Sequence, residues 1–179
     1  MSRGLAVAVA FALLLAGCAS APPSPALPAF DAVAAVAAIR AAGEEASEEL
    51  VIRPLGDSEV TDLREQAARF ETSAAYGDAA VALDQALAIT PDDPALLQER
   101  AEIAVLEHDL GTAVDLAQRA IAAGAQVGPL CRRHWETIVQ ARIAQARAVL
   151  ASADATPAPS AAAARQRRDA CTVAAPKRF

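Results

Sequence analysis

The sequence carries the same helical-hairpin pattern twice, and this repetition limits the folds open to it. Gly77 and Gly111 stand 34 residues apart, and the segments that begin at these two glycines superpose with small residues on small ones and large residues on large ones. Each copy contains an apolar helical stretch, a turn and a longer amphipathic stretch. Periods of roughly 20–50 residues are typical of stacked repeats. We therefore predict an all-α fold, a short antiparallel helical-hairpin stack.

The composition favours the same class of fold. The chain has 179 residues, enough for one modest core, and only 3% of them are aromatic. Runs of alternating β-branched residues, which indicate strands, are nearly absent. We expect one folded domain.

Ala79, Ala86 and Pro91 follow the spacing Ala-x6-Ala-x4-Pro. This spacing resembles the second half of a tetratricopeptide repeat, and the resemblance covers about half of the chain. Residues at the family's signature positions are Leu63, Ala67, Phe70, Ala79, Leu83, Ala86 and Pro91 in the first unit, and Leu97, Ala101, Ala104, Ala113, Ala117, Ala120 and Ala125 in the second. Ala125 departs from the pattern, because the family favours proline there.

The resemblance implies a concave surface, lined by the first helix of each unit, that binds a protein or peptide. The positions that correspond to that surface are Arg64, Ala68, Glu71, Thr72, Gln98, Glu102, Val105, Leu106, Arg132, Glu136, Val139 and Gln140. Charges alternate there around a few apolar side chains. Such a surface would suit a peptide with a few apolar anchors, and the identity of that partner stays open.

The amino terminus has the pattern of an export signal. Ser2 and Arg3 precede the apolar run from Leu5 to Ala16, which is too short to cross a bilayer. The run ends in Leu-Ala-Gly-Cys, which resembles the lipobox of bacterial lipoproteins. The resemblance implies that residues 1–17 are a cleaved signal peptide and that Cys18 becomes acylated. In lipoproteins of this kind from Gram-negative cells, an Asp directly after the cysteine is associated with retention in the inner membrane. The residue here is Ala19, so the resemblance implies an anchor on the periplasmic face of the outer membrane.

The rest of the chain divides by composition. Residues 18–30 are a Pro-rich tether, residues 31–56 an accessory helix with a connector, residues 57–153 the repeat domain, and residues 154–179 a flexible, low-complexity basic tail. In the accessory helix Asp31 is the predicted N-cap and Gly43 the predicted stop. Val33, Val36 and Ile39 form a face that we expect to pack on the repeats.

Trp135 marks the end of the predicted stack. It occupies the position that Ala67 and Ala101 hold in the two earlier units. A tryptophan is too large for a place where two helices nearly touch, so we expect no ordinary partner helix there. The helix that begins near Leu130 should therefore close the stack.

Charge is distributed unevenly. Residues 31–127 contain nineteen acidic and six basic residues, and residues 128–179 contain three acidic and nine basic ones. The basic half includes Arg132, Arg133, Arg142, Arg147, Arg165, Arg167 and Arg168. Two interpretations remain: these arginines attract an anionic envelope polymer or lipid head group, or they only solvate helix surfaces. We expect no nucleic-acid partner for an exported chain.

Cysteine and histidine usage limits the chemistry. After lipidation of Cys18, Cys131 and Cys171 form the obvious disulfide pair in an oxidising compartment. His108 and His134 lack ligand-spaced neighbours, so no metal site is predicted. We also recognise no catalytic motif and no cofactor-binding loop, and we expect a protein that is not an enzyme.

Two functions fit these features. The first is a membrane-anchored scaffold or adaptor that binds a protein or peptide through its groove, as similar lipoproteins do in envelope, secretion or pilus assembly. The alternative is a structural envelope lipoprotein that oligomerises through its alanine faces or contacts the cell-wall polymer. Frequent helix breaks at Gly77, Pro91, Gly111 and Gly124 argue against the long coiled coil that the second function would favour.

Overall fold

The computed structural model describes residues 29–44, 57–151 and 160–172. Over these ranges the chain is helical without a β-strand, which confirms the all-α prediction. The helices are α1 (Ala32–Glu44), α2 (Ser58–Thr72), α3 (Tyr76–Ile89), α4 (Pro94–Leu106), α5 (Leu110–Ala123), α6 (Pro129–Ala151) and α7 (Ala161–Ala170). The predicted signal peptide, Cys18 and most of the predicted tether lie outside the described residues.

Two helical hairpins, α2–α3 and α4–α5, repeat with the period seen in the sequence. The first helices end at Thr72 and Leu106, and the second helices end at Ile89 and Ala123. Both pairs of ends are 34 residues apart. The repetition of sequence is therefore also a repetition of structure.

The turn inside each hairpin is repeated as well. Ala74 and His108, again 34 residues apart, have positive φ angles of 58° and 62°. Residues other than glycine seldom adopt this left-handed conformation, so its recurrence marks the same turn in both hairpins. The glycines that we expected to turn the chain, Gly77 and Gly111, instead lie one residue inside α3 and α5.

The start of α4 follows the local signals of the sequence. The side chain of Asp93 accepts hydrogen bonds from the backbone N–H groups of Ala95 (2.8 Å) and Leu96 (3.0 Å). Pro94 stands at the first helical position, where a missing N–H costs nothing. An Asp followed by Pro is thus a local sequence signal that places the start of this helix.

Alanines carry the contacts within and between the hairpins. Helices approach closely only where the facing side chains are small. The alanines that the repeat pattern places at these contacts are fully buried, with no exposed surface: Ala79, Ala86, Ala101, Ala113 and Ala120. The hairpins therefore nest as the pattern of small residues predicts.

The helices from α2 to α6 pack in chain order, each on the next, whereas α1 packs on α6 and α4. The α1 surface that is buried differs slightly from the predicted one. Val36 and Ile39 are buried, but Val33 is 63% exposed, and Ala32 and Ala35 complete the buried face. The helix also continues through Gly43, the predicted stop, to Glu44.

The third unit departs from the hairpin pattern. A third turn would fall at residue 142, but α6 runs on to Ala151. Residues 160–172, which were predicted to belong to a flexible tail, contain α7, and α7 packs on α6. Trp135 is half-buried in an apolar cluster that includes Ala164 of α7. The tryptophan site thus has a neighbouring helix, which comes from the end of the chain.

Three further contacts hold α7 in place. Cys131 in α6 and Cys171 are joined by a disulfide with an S–S distance of 2.07 Å. Arg168 pairs with Glu136, with 2.6 Å between Nη1 and Oε2. The backbone N–H of Gly128 also donates to the carbonyl of Cys171 at 2.8 Å. The carboxyl-terminal part of the described chain is therefore bound to the last helix of the stack.

We predict that Ala101→Leu destabilises the protein by about 1–3 kcal/mol, because three added carbons must enter a filled contact between α4 and α5. Chemical denaturation monitored by circular dichroism measures this change. Ala88→Leu, at an exposed position of α3, is the matched control and should change the free energy of unfolding by less than about 0.5 kcal/mol. Equal effects at the two positions would contradict close alanine packing.

We predict that replacing Cys131 and Cys171 together by alanine lowers the free energy of unfolding by up to about 4 kcal/mol, since the bond closes a loop of 40 residues. Mass spectrometry without reductant should find the two cysteines in one cross-linked peptide. Denaturation of the double variant, with and without reductant, measures the stability. Two free thiols in the purified protein would contradict the bond.

Candidate functional site

The inner surface of the stack, formed by the first helices α2, α4 and α6, is partly covered by α1. The ring of Phe30, just before α1, meets His108, just beyond the end of α4, edge to face at a centroid distance of 5.7 Å. At the other end of α1, the carbonyl of Ala42 accepts a hydrogen bond of 2.9 Å from Nε of Arg132 in the first turn of α6. Because α1 starts near the end of α4 and ends near the start of α6, it runs antiparallel to both helices.

The predicted groove residues fall into two groups. Arg64, Ala68 and Thr72 on α2 are exposed, and Glu71 on the same helix is half-buried. Those on α4 and α6 are buried, apart from half-buried Gln140: Gln98, Glu102, Val105, Leu106, Arg132, Glu136 and Val139. The chain's own helices cover this second group, so it is not an open groove in the structure. The binding of a partner by these residues stays a prediction.

The carboxylate of Glu102 is the centre of a buried polar network. It has no exposed surface, although the tetratricopeptide resemblance implies that Glu102 lines a binding surface. Oε1 accepts hydrogen bonds from Gln98 Nε2 (2.8 Å) and Arg133 Nε (3.1 Å), and Oε2 accepts one from Arg40 Nε (2.8 Å). A second guanidinium nitrogen of Arg133 also contacts Oε1. A buried carboxylate is tolerated only when it is paired and hydrogen-bonded in this way.

Arg40 of α1 connects this network to the first hairpin. Its Nη1 and Nη2 contact the two carboxylate oxygens of Glu71 on α2 at 2.9 Å and 3.0 Å. Burial lowers the pKa of Arg40, but the hydrogen bonds and the negative charges of Glu71 and Glu102 outweigh burial and raise that pKa above its ordinary value. One guanidinium of α1 therefore bridges carboxylates on α2 and α4.

Gln98 extends the network to His134. The side-chain amide of Gln98 donates to Glu102 and to Thr137 (2.9 Å), which leaves its oxygen facing Nδ1 of His134 at 2.7 Å. Neutral His134 therefore donates from Nδ1, and its Nε2 is a buried acceptor that receives no hydrogen bond from the described residues. Burial, followed by the nearby charge of Arg133, lowers the pKa of His134 to about 4.

The carboxyl-terminal end of α1 fits closely against α6. A Cβ added to Gly43 would lie 2.8 Å from Cδ and 2.9 Å from Cγ of Arg133. Arg132, itself almost fully buried, donates to the Ala42 carbonyl at the negative end of the α1 dipole. Gly43, predicted as a helix stop, thus lets the stem of Arg133 pass close to the helix backbone.

Three of the seven arginines in the predicted basic surface are engaged inside the fold. Arg132 and Arg133 contact α1 and Glu102, and Arg168 contacts Glu136 and its neighbour Asp169. The hydrogen bond to Glu136 raises the pKa of Arg168, partly offset by burial. If an anionic polymer is attracted to this surface, the contacts are therefore expected from the other arginines of α6 and α7.

Arg40 and Arg133 are contact residues of the inner surface that were not predicted from the sequence. One signal was available for Arg40: it is the only charged residue between Asp31 and Glu44, in a helix that is otherwise apolar. An isolated arginine of this kind indicates a specific partner when the helix is buried. For Arg133 the sequence offered no comparable signal, because its place depends on where α1 ends.

The network holds α1 by charge and by shape. In the described parts of the chain, no group of three or more His, Cys, Asp or Glu side chains is placed to hold a metal ion. No helix there is long and apolar enough to cross a membrane. The geometry provides a pair of carboxylates that binds one guanidinium, and an arginine that donates a hydrogen bond to the last turn of a helix.

We predict a histidine-dependent loss of stability at acid pH. The unfolded chain takes up a proton on His134 near its ordinary pKa of about 6.5, whereas the folded chain resists protonation down to about pH 4. The free energy of unfolding should therefore fall between about pH 6.5 and pH 4, by on the order of 3 kcal/mol from this residue. His134→Asn keeps a donor for Gln98 without titrating, so its denaturation profile should be flatter over that range. Parallel profiles for the two proteins would contradict the prediction.

Comparisons with protein-family models, with curated proteins and with solved structures found no match to this chain. The function is therefore inferred from the sequence features and the geometry described above. The feature that bears most directly on function is the inner surface with α1 bound on it.

Proposed function

We propose that the chain is a lipid-anchored interaction module of the bacterial outer membrane that binds a protein or peptide through the inner surface of a tetratricopeptide-like stack. In this proposal residues 1–17 direct export and acylated Cys18 holds the module on the periplasmic face. The module is a scaffold or adaptor without a catalytic role.

The observation that carries the proposal is the way in which α1 lies on the inner surface. A helix is bound there by apolar side chains on one face and by one arginine between two carboxylates. Amphipathic helices are commonly recognised in this way, by a groove that accepts a few anchors. The inner surface is thus built to hold a helix.

Part of this surface remains accessible beside α1. On α2, Ala68 and Thr72 are exposed, and Arg64 forms an ion pair with Glu99 of α4 through Nε, at 3.0 Å. A partner that enters the groove would therefore meet α2 first. The mixed charge and small side chains of this area suit a polar peptide segment next to an apolar helix.

The anchoring part of the proposal is supported by the sequence. An apolar run followed by Leu-Ala-Gly-Cys and then a Pro-rich segment is the arrangement of a lipidated, tethered domain. Acyl chains on one cysteine, when there are two or more, hold a protein on a bilayer durably. The Pro-rich segment would keep the module at a distance from the bilayer surface.

We predict that a photo-reactive amino acid at Ala68, on the inner surface, cross-links one discrete envelope protein in cells, whereas the same group at Ala88, an exposed position of α3, does not. Cys18→Ala should move the module out of the membrane fraction and weaken the Ala68 cross-link. Equal cross-linking from both positions would contradict a groove, and unchanged fractionation of Cys18→Ala would contradict the anchor.

A further inference from the structure

The helix α1 is held on the inner surface as a bound peptide would be, by one face. Ala32, Ala35, Val36, Ile39 and Ala42 are buried, whereas the opposite face, with Val33, Ala34, Ala37 and Ala41, is exposed. The disulfide of the described chain joins α6 to the end of α7 and does not involve α1. The contacts of α1 with the stack are therefore noncovalent and confined to one side.

Both carboxylates of the charge network on the inner surface belong to the stack itself. Oε1 of Glu102 is already bound by Gln98 and Arg133, both on stack helices. Oε2 of Glu102 and both oxygens of Glu71 are bound by Arg40 of α1. Without α1, the stack would present two carboxylates arranged for one guanidinium.

The inner surface also selects the end of the helix that it binds. Arg132 donates to the carbonyl of Ala42, and the stem of Arg133 passes where a side chain at position 43 would stand. A helix with a larger residue than glycine at that place would push Arg133 away from Glu102. The site thus fits a helix that ends in small residues.

We propose that α1 is an exchangeable occupant and that the same surface binds a helix of a partner protein with small residues, an isoleucine and one arginine at the spacings found in α1. The inference rests on the proposed function, and it specifies the chemical class of the partner. The partner helix carries its arginine directly after the isoleucine and a glycine three residues beyond the arginine. While α1 is docked, it competes with that helix and keeps the surface closed.

The first test opens the surface in the full-length protein. Ile39→Asp places a charge at a position with no exposed surface and should undock α1, whereas Val33→Asp, on the exposed face of the same helix, is the matched control. The probe is a fluorescent synthetic peptide of residues 29–44. Its anisotropy should show binding to Ile39→Asp at least about tenfold tighter than to the wild type or to Val33→Asp. The reason is that the apparent affinity is proportional to the fraction of molecules in which the surface is open.

The second test concerns the arginine. A peptide with Arg40→Ala should bind the opened protein about tenfold or more weakly, because it lacks the guanidinium that Glu71 and Glu102 receive. Equal binding of the two peptides would overturn the assigned partner chemistry. Should Ile39→Asp fail to fold, as judged by circular dichroism, Arg40→Glu in the full chain opens the surface by repulsion and leaves the apolar contacts unchanged.

Other occupants give different outcomes. If neither opened variant binds the wild-type peptide, α1 is a fixed part of the fold and the inference is wrong. A discrete cross-link from Ala68 would still support the proposed function in that case. If sedimentation shows that the wild-type chain forms dimers that Arg40→Glu abolishes, the occupant is α1 of a second copy, which would also overturn the assignment to a partner helix.

Discussion

The structure depends on the neutralisation of one buried carboxylate, that of Glu102. Removing a carboxylate from water costs several kcal/mol unless cations and hydrogen-bond donors replace the water. Here the replacements come from three helices: Arg40 from α1, Arg133 from α6 and Gln98 from the same helix as Glu102. Moving α6 away would remove the cation at Oε1, and moving α1 away would remove the cation at Oε2 and open the carboxylate to solvent. The position of both helices is therefore linked to this one group.

The alanine contacts make such an arrangement possible. Nesting on alanines brings α4 close to α3 and α5, while α1 and α6 approach its remaining sides. As a result α4 is buried nearly all round, from Leu96 to Gln98 and from Ala101 to Leu106. A surface helix normally buries a single stripe. The polar residues of α4 that would face solvent in an isolated stack, Gln98 and Glu102, lie between helices here.

These contacts give the inner surface a specific chemistry. An apolar groove alone would accept many helices, but a carboxylate pair and an arginine that binds a helix end discriminate among them. The chemistry is shown by the segment that the surface holds in this structure, α1. In the proposed function, a module held on a membrane would present this selective surface to a partner helix, and α1 would compete with that helix.

Much of the fold could be read from the sequence, since it follows from local patterns. The cap at Asp93 with Pro94 depends on neighbouring residues in one helical turn. The 34-residue period and the buried alanines depend on spacing within one repeat. The tertiary structure alone decided which surfaces are closed. The contacts that close them join residues far apart in the chain, such as Arg40 with Glu102, 62 residues away, and Arg168 with Glu136, 32 residues away. From the sequence alone, a charged residue in a helix is expected to face solvent. It can be buried only when a helix from a distant part of the chain places a cation within contact distance of it.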